Sequence, residues 1–296
     1  MDGQESEINV TPYQVNELKL GAPWTSMHST FSECDALLYA DLTNFDTSHV
    51  SSFYGIFFQC TNLEELRIGG IDTSYATNLS RMFAWCRKLK TIDTGSFNTY
   101  FVSDMSEMFW DCKSLELLDV SHFDTSKVTN MYLMFAGCEK LTSLNLRNFN
   151  TAQVTDMTSM FRGCRGLSSL DLSSFDTRKV KNFRYMFAEF GCRETHPPED
   201  KLVKLDLSNF QNTSAESYEY MFSNFHALKE LDISKFQPTP ITSDSQIRCM
   251  FDNCFNLRKI RCTGAMRAWL VQNADINSLR HTHMMPDNDG VWELVD

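Results

Sequence analysis

Apolar residues along this chain recur in fixed columns. Phe57, Phe83, Phe109, Phe135 and Phe161 stand 26 residues apart, and the column resumes at Phe187, Phe222 and Phe251 across two insertions. Met82, Met108, Met134, Met160, Met186, Met221 and Met250 precede them in step. Leu63, Leu89, Leu115, Leu141, Leu167, Leu202 and Leu228 open successive coils. Cysteines keep the same interval at 34, 60, 86, 112, 138 and 164. A fixed period of this size is the signature of stacked repeats. It predicts eight coils between about residues 35 and 254, preceded by half a coil that ends at Cys34.

Two periodicities alternate within a coil. In "LELLDVS" (115–121), Leu118 and Val120 share one face while Leu117, Asp119 and Ser121 share the other, which predicts a short strand. In "TNMYLMFAGC" (129–138), Met131, Met134, Phe135 and Cys138 fall at i, i+3, i+4 and i+7, which predicts a short helix. Asn130 is placed as its N-cap, in a column with Ser52, Asn78, Asp104, Asp156 and Asn182. Gly137 and Gly163 are placed late in the helix, where they help it turn. Between strand and helix, the column Asp46, Asp72, Asn98, Asp124, Asn150, Asp176 exchanges Asp for Asn freely, so it requires an oxygen acceptor rather than a charge. One coil cannot bury its own apolar columns, but stacking at ~4.8 Å per coil turns them into a continuous core. The fold class is therefore α/β, a solenoid with one short strand and one short helix per coil. About eight coils are expected, with caps at both ends.

The segments "LELLDVSHFDTSKVTNMYLMFAGC" and "LSSLDLSSFDTRKVKNFRYMF" resemble the 26-residue bacterial surface protein repeat, a BspA-like branch of the leucine-rich repeats. The resemblance covers about three-quarters of the chain. It implies a right-handed leucine-rich-repeat-like solenoid and a binding or adhesion role without catalysis, often on microbial surfaces and also in single-celled eukaryotes. The early coils depart from the pattern, as in "RIGGIDTSYATNLSRMFAWC".

The ends and insertions complete the organisation. Residues 1–34 read as a cap with its half repeat, 35–262 as the repeat array and 263–296 as a C-terminal cap. "GCRETHPPEDK" (191–201) is a surface insertion. "GAMRAWLVQNADINSLRH" (264–281) predicts a capping helix with Met266, Trp269, Leu270, Ile276 and Leu279 inward, and "GVWELVD" predicts a final strand. A formal charge of −11 disfavours a nucleic-acid partner, and no apolar run is long enough to span a membrane. The acidic opening "MDGQESEINV" has no secretory pattern, so the chain is expected inside the cell or within an assembly, or at a cell surface if it has been trimmed.

Chemistry is sparse. Seven histidines, no Gly-rich phosphate loop, no nucleophile elbow and no His-Glu-x-x-His motif argue against an enzyme. Neither a cofactor nor a metal is expected, His281 and His283 with Asp287 and Asp289 being too slight a ligand set. The cysteine column takes Phe at 190 and 225, so it reads as a buried apolar slot, and Cys192, Cys249 and Cys262, which lie off the column, are the likelier reactive thiols if any are. An acidic column runs through Asp41, Asp93, Asp119, Asp171, Asp206 and Asp232, with Arg67 relieving its first members and Asn145 interrupting it. Asp119, Asp171, Asp206 and Asp232 are a candidate strip for a basic partner or a weakly held divalent cation, or simply solvated acceptors of local hydrogen bonds. Positions that are small or charged later become Tyr54, Phe58, Tyr75, Trp85, Tyr100, Phe101 and Trp110 in the first coils. These aromatics are the candidate partner-binding residues, the alternative being packing beneath "APWTSMHSTF". The function expected is a non-catalytic module that recognises a protein partner, as adhesin or scaffold. A structural subunit of a larger assembly is the alternative, and the oligomeric state is left open.

Overall fold

Every second backbone amide in the segment predicted as a helix points at the neighbouring repeat rather than back along its own chain. In the computed structural model, which describes residues 25–189, 201–240 and 242–278, the amides of Leu133, Phe135 and Gly137 donate to the carbonyls of Thr158, Met160 and Arg162. The amides between them, on Met134, Ala136 and Cys138, donate to Met131, Leu133 and Phe135, three residues back. These are consecutive β-turns, whereas α-helical amides reach four residues back. Leu133 (φ 55°) and Gly137 (φ 74°) occupy the third position of two such turns in the left-handed region, which no right-handed helix admits. The helix expected in each coil is thus replaced by a ladder of turns. The burial pattern itself holds: Met131, Met134, Phe135 and Cys138 are all buried.

Asn130 accordingly caps no helix. Its Oδ1 accepts the Tyr132 N–H at 3.0 Å, and its backbone bridges Asp104 on one side and Asp156 on the other. The same parallel bridge repeats from Ser26 through Ser52, Asn78, Asp104, Asn130, Asp156 and Asn182 to Ser217. Neither insertion breaks this ladder: Phe187 N–H donates to Met221 O, and Phe222 N–H to Met250 O, both at 2.9 Å.

The predicted strands form at both ends of the array. β1 (Tyr39–Asp41) pairs in parallel with β2 (Glu65–Arg67), with Ala40 opposite Leu66. β3 (Lys204–Asp206), β4 (Glu230–Asp232) and β5 (Lys259–Arg261) make a second parallel sheet, with Leu205, Leu231 and Ile260 in register. Between the sheets, Thr91 and Leu117 form a single bridge. Face alternation is nevertheless kept there, since Leu118 and Val120 are buried while Leu117 is 65% exposed. The described chain is a repeated domain with small parallel sheets and few helices.

The core is organised by ring columns. Phe31, Phe57, Phe83, Phe109, Phe135, Phe161, Phe187, Phe222 and Phe251 stack near-parallel, with successive centroids between 5.4 and 6.1 Å apart. A second column includes Phe97 on Phe123 at 6.3 Å, and Phe175 on Phe210 at 6.2 Å. Each buried ring contributes roughly 2–3 kcal/mol by area, and each ring pair about 0.5–1.5 kcal/mol more. A threonine ladder fastens the corner beside them. Thr125 Oγ1 donates to Asn150 O at 3.0 Å and accepts the Asn150 N–H at 2.8 Å, and Thr47, Thr151 and Thr177 repeat this exchange with the next coil.

α1 (Gly264–Gln272) closes the array, capped by Thr263, whose Oγ1 accepts the Met266 N–H. Met266, Trp269 and Leu270 are buried as expected, and Ile276 packs against the core. The helix is shorter than the predicted 264–281, because after Gln272 the chain continues in turns to residue 278. Leu279, "GVWELVD", Phe190, Cys192 and the insertion up to residue 200 lie outside the described residues.

Candidate functional site

Thiols are the simplest candidates to place. Cys60, Cys86, Cys112, Cys138, Cys164 and Cys254 are buried and free. Each Sγ donates to the carbonyl of a phenylalanine in the preceding coil, as Cys138 does to Phe109 at 3.2 Å and Cys164 to Phe135 at 3.1 Å. Burial pushes the thiols up, to about 12 for Cys60 and Cys254, so none is a nucleophile near neutral pH. Cys262, one of the likelier reactive thiols by its place off the column, is buried, and burial raises it to about 11. Cys249 is half-buried.

The acidic column is tied into local structure. Asp119 Oδ1 accepts the Ser121 N–H at 2.9 Å and its hydroxyl at 2.6 Å, which holds the carboxyl below its usual range. Asp171, Asp206 and Asp232 each accept an amide two residues on. Hydrogen bonds from Ser173, then from Arg147, lower Asp171 to about 2. The later members of the column are partly neutralised, because Arg147 reaches Asp171 at 3.0 Å and Arg261 reaches Asp232 at 3.4 Å. Arg67 bonds Glu65 at 3.0 Å and lies over the Tyr39 ring, and after the hydrogen bonds from Thr43 its charge also helps to lower Asp41. Among the described residues, no three His, Cys, Asp or Glu side chains gather as a metal set. His281, His283, Asp287 and Asp289 lie outside them.

The seven aromatics separate into two groups. Tyr54, Phe58, Trp85 and Trp110 are half-buried on the turn ladder. Arg81 lies over the Tyr54 and Phe58 rings at 5.7 and 5.5 Å, donates to Tyr54 Oη, and grips Glu107 with two bonds of 3.0 and 2.9 Å. Trp85 meets Trp110 edge to face at 5.3 Å, and Arg87 caps Trp85 at 4.2 Å while pairing with Asp111 at 2.7 Å. His28, from the N-terminal segment, stacks on Tyr54 at 4.4 Å, so cap packing covers part of this group. The second group is Tyr75, Tyr100 and Phe101, exposed by 64, 49 and 49%. There His49 stacks on Tyr75, and Lys127 Nζ sits 3.8 Å from the Tyr100 centroid and 4.2 Å from that of Phe101.

Sequence reading missed the cations that organise these rings. Arg81 and Glu107 stand 26 residues apart, which puts them side by side on adjacent coils, so column arithmetic was sufficient to pair them. It also missed a recess beyond Trp110. This cavity of about 570 Å³ runs along the turn ladder past Tyr132, Thr158 and Arg162 to Tyr185. Its residues repeat at the 26-residue interval, as Glu107, Leu133, Ser159 and Tyr185 do, but their chemistry changes from coil to coil, so no motif marked them as one site.

A family model described as "Mycoplasma protein of unknown function, DUF285" matches residues 25–117, 111–195 and 198–278. No curated protein matches the chain. Among solved structures, the functional domain of InlJ from Listeria monocytogenes, described as including a cysteine ladder, is 14% identical with a TM-score of 0.15. That match covers 76% of this chain and 60% of the other, so the chain spans less than two-thirds of that domain.

Proposed function

We propose a function from one premise: the chain belongs to the DUF285 family. It is a non-catalytic recognition module that presents a repeat surface to a protein partner. Its architecture, on this reading, is a right-handed leucine-rich-repeat-like solenoid of the BspA-like kind. The support for that architecture is the unbroken stack of inter-coil hydrogen bonds from Ser26 to Ser217 together with the 26-residue refrain.

One observation carries the function: Trp85, Trp110, Tyr54 and Phe58 are held on the turn ladder by Arg81 and Arg87, each arginine itself locked to an acid. Trp, Tyr and Arg dominate binding hot spots, and Trp and Tyr bury much area with few torsions to freeze. Here the rings are already fixed by T-stacking and cation–π contacts, so association costs little side-chain entropy. A soluble monomer in size exclusion, together with partner capture that Trp85→Ser/Trp110→Ser abolishes at unchanged Tm, is the expected result. Capture unaffected by the double substitution overturns the reading. An obligate oligomer that dissociates only on unfolding points instead to a structural subunit.

A further inference from the structure

We infer that the recess beyond Trp110 takes an uncharged oligosaccharide carried by the partner. This deepens the recognition reading and rests on it. The recess opens where the columns change size. One coil beyond Trp110 its column holds Ala136, and one coil beyond Tyr132 its column holds Thr158. Each ring is thus followed by a small side chain, which leaves space beside it along the stack. The cavity of about 570 Å³ lies within the range of small-molecule sites. Its lining passes through five successive coils, at Arg81, Glu107, Leu133, Ser159 and Tyr185, so at ~4.8 Å per coil it is about 19 Å long. That length suits a short chain of sugar rings rather than a single ring.

Net charge selects no ion here. Arg81 is matched by Glu107 at 2.9 Å and Arg184 by Glu219 at 2.8 Å. Burial lowers the Arg162 pKa, and the charge of Glu189 opposes that shift. Asp156 lines the recess as a further carboxylate, so the acids around it at least equal its arginines. What the recess offers is direction: guanidinium and Asn182 amide hydrogens to donate, carboxylate oxygens to accept. A sugar hydroxyl both donates and accepts, so it bridges such neighbours without bringing a charge that must be desolvated. The Tyr132 phenol stands among these groups. Burial first, then the charges of Glu107 and Asp156, raise its pKa, so it stays a donor. The C–H face of a sugar ring packs on the negative face of an aromatic ring, which Trp110 and Tyr132 supply. Thr158 is an independent sign of a ligand. Its side chain lines the recess, is 9% exposed, and has no hydrogen-bond partner for Oγ1, although its amide donates to Asp156 Oδ1 at 2.8 Å. A buried hydroxyl left without a partner is costly, and a ligand hydroxyl relieves that cost.

The test titrates the full chain by calorimetry with chitotetraose, cellotetraose, maltotetraose and mannotetraose at roughly 0.01 M and 1 M salt, where screening lengths differ about tenfold. At least one should bind, with affinities at the two salts within about threefold of each other, as an uncharged ligand requires. Tyr132→Ser should weaken that binding roughly tenfold. Thr158→Val should weaken it about threefold or more without lowering Tm, since it removes an unpartnered hydroxyl from the free protein. Glycosidase treatment of a captured partner should weaken its binding roughly tenfold or more. No binding of any of the four sugars, affinity indifferent to both Tyr132→Ser and Thr158→Val, or a partner that binds equally after deglycosylation overturns the inference. Tighter binding of a heparin tetrasaccharide at low salt overturns the uncharged ligand, and equal binding of an octapeptide alternating Gln with Gly overturns the sugar. Failure here alongside partner capture that still depends on Trp85 and Trp110 leaves the recognition reading standing, so the two are separable.

Discussion

A thiol in the Cys138 slot has two neighbours that matter, a ring column and a carbonyl one coil back. The Phe109 carbonyl accepts its S–H at 3.2 Å, and burial disfavours its thiolate. The linkage to stability then has a definite sign. An unfolded thiol loses its proton near pH 8.5, while the folded ladder keeps its protons to higher pH, to about 12 at Cys60 and Cys254. The folded state therefore binds more protons in that window, so stability is fully present below about pH 8.5 and is lost as pH rises toward 12. Urea midpoints should fall steadily above that lower pH, and a flat midpoint across the window would refute the buried-thiol account. The acceptor column behaves differently. Asp124 Oδ1 accepts the Ser126 N–H at 2.9 Å, as the Asn98 and Asn150 oxygens do in their own coils. Asp124→Asn should be nearly neutral, within about 0.5 kcal/mol, whereas Asp124→Ala should cost about 1 kcal/mol of unfolding free energy. An equal cost for both would mean that charge, not the acceptor, is what the column requires.

Elements form here by stacking rather than by local propensity. Phe109 sits between Phe83 at 5.7 Å and Phe135 at 5.8 Å, fully buried. Phe109→Ala opens a cavity between two coils and should cost about 3–5 kcal/mol in chemical denaturation, against less than 1 kcal/mol if the rings were loosely packed. The columns were legible in the sequence because a strict period converts spacing into adjacency. Phe, Met, Leu and Cys therefore fall in the core where the repeat put them. The helix was misread for an equally physical reason. Turns with left-handed residues at Leu133 and Gly137 bury the same i, i+3, i+4, i+7 positions that a helix would. A leucine at positive φ leaves no mark in sequence, since left-handed backbone is ordinarily signalled by Gly or Asn. Gly137 and Gly163 were the visible hints, and they mark the turns rather than a helix end. The strands were legible as face alternation, while their hydrogen bonding at only the two ends of the array was not.

Across the whole molecule, scaffold and surface divide the sequence between them. Columns that repeat build the stack, and departures from them populate the turn ladder with Tyr54, Phe58, Arg81, Trp85 and Trp110. The candidate aromatics were found in the sequence because they break the refrain. Their division into a cation-locked group and an exposed group with Lys127 was not, because it depends on which turn position each occupies. The acidic column, equally visible, is drawn into local hydrogen bonds and ion pairs, which leaves the turn ladder as the face most suited to a partner. The central claim is that this face does the binding. Its most direct test is the affinity of a captured partner for wild type and for Trp85→Ser/Trp110→Ser, measured side by side with Tm. Two hot-spot rings at about 2 kcal/mol each should weaken binding by roughly 1,000-fold with little change in Tm. An affinity within about threefold of wild type, in a variant of unchanged Tm, would contradict the account.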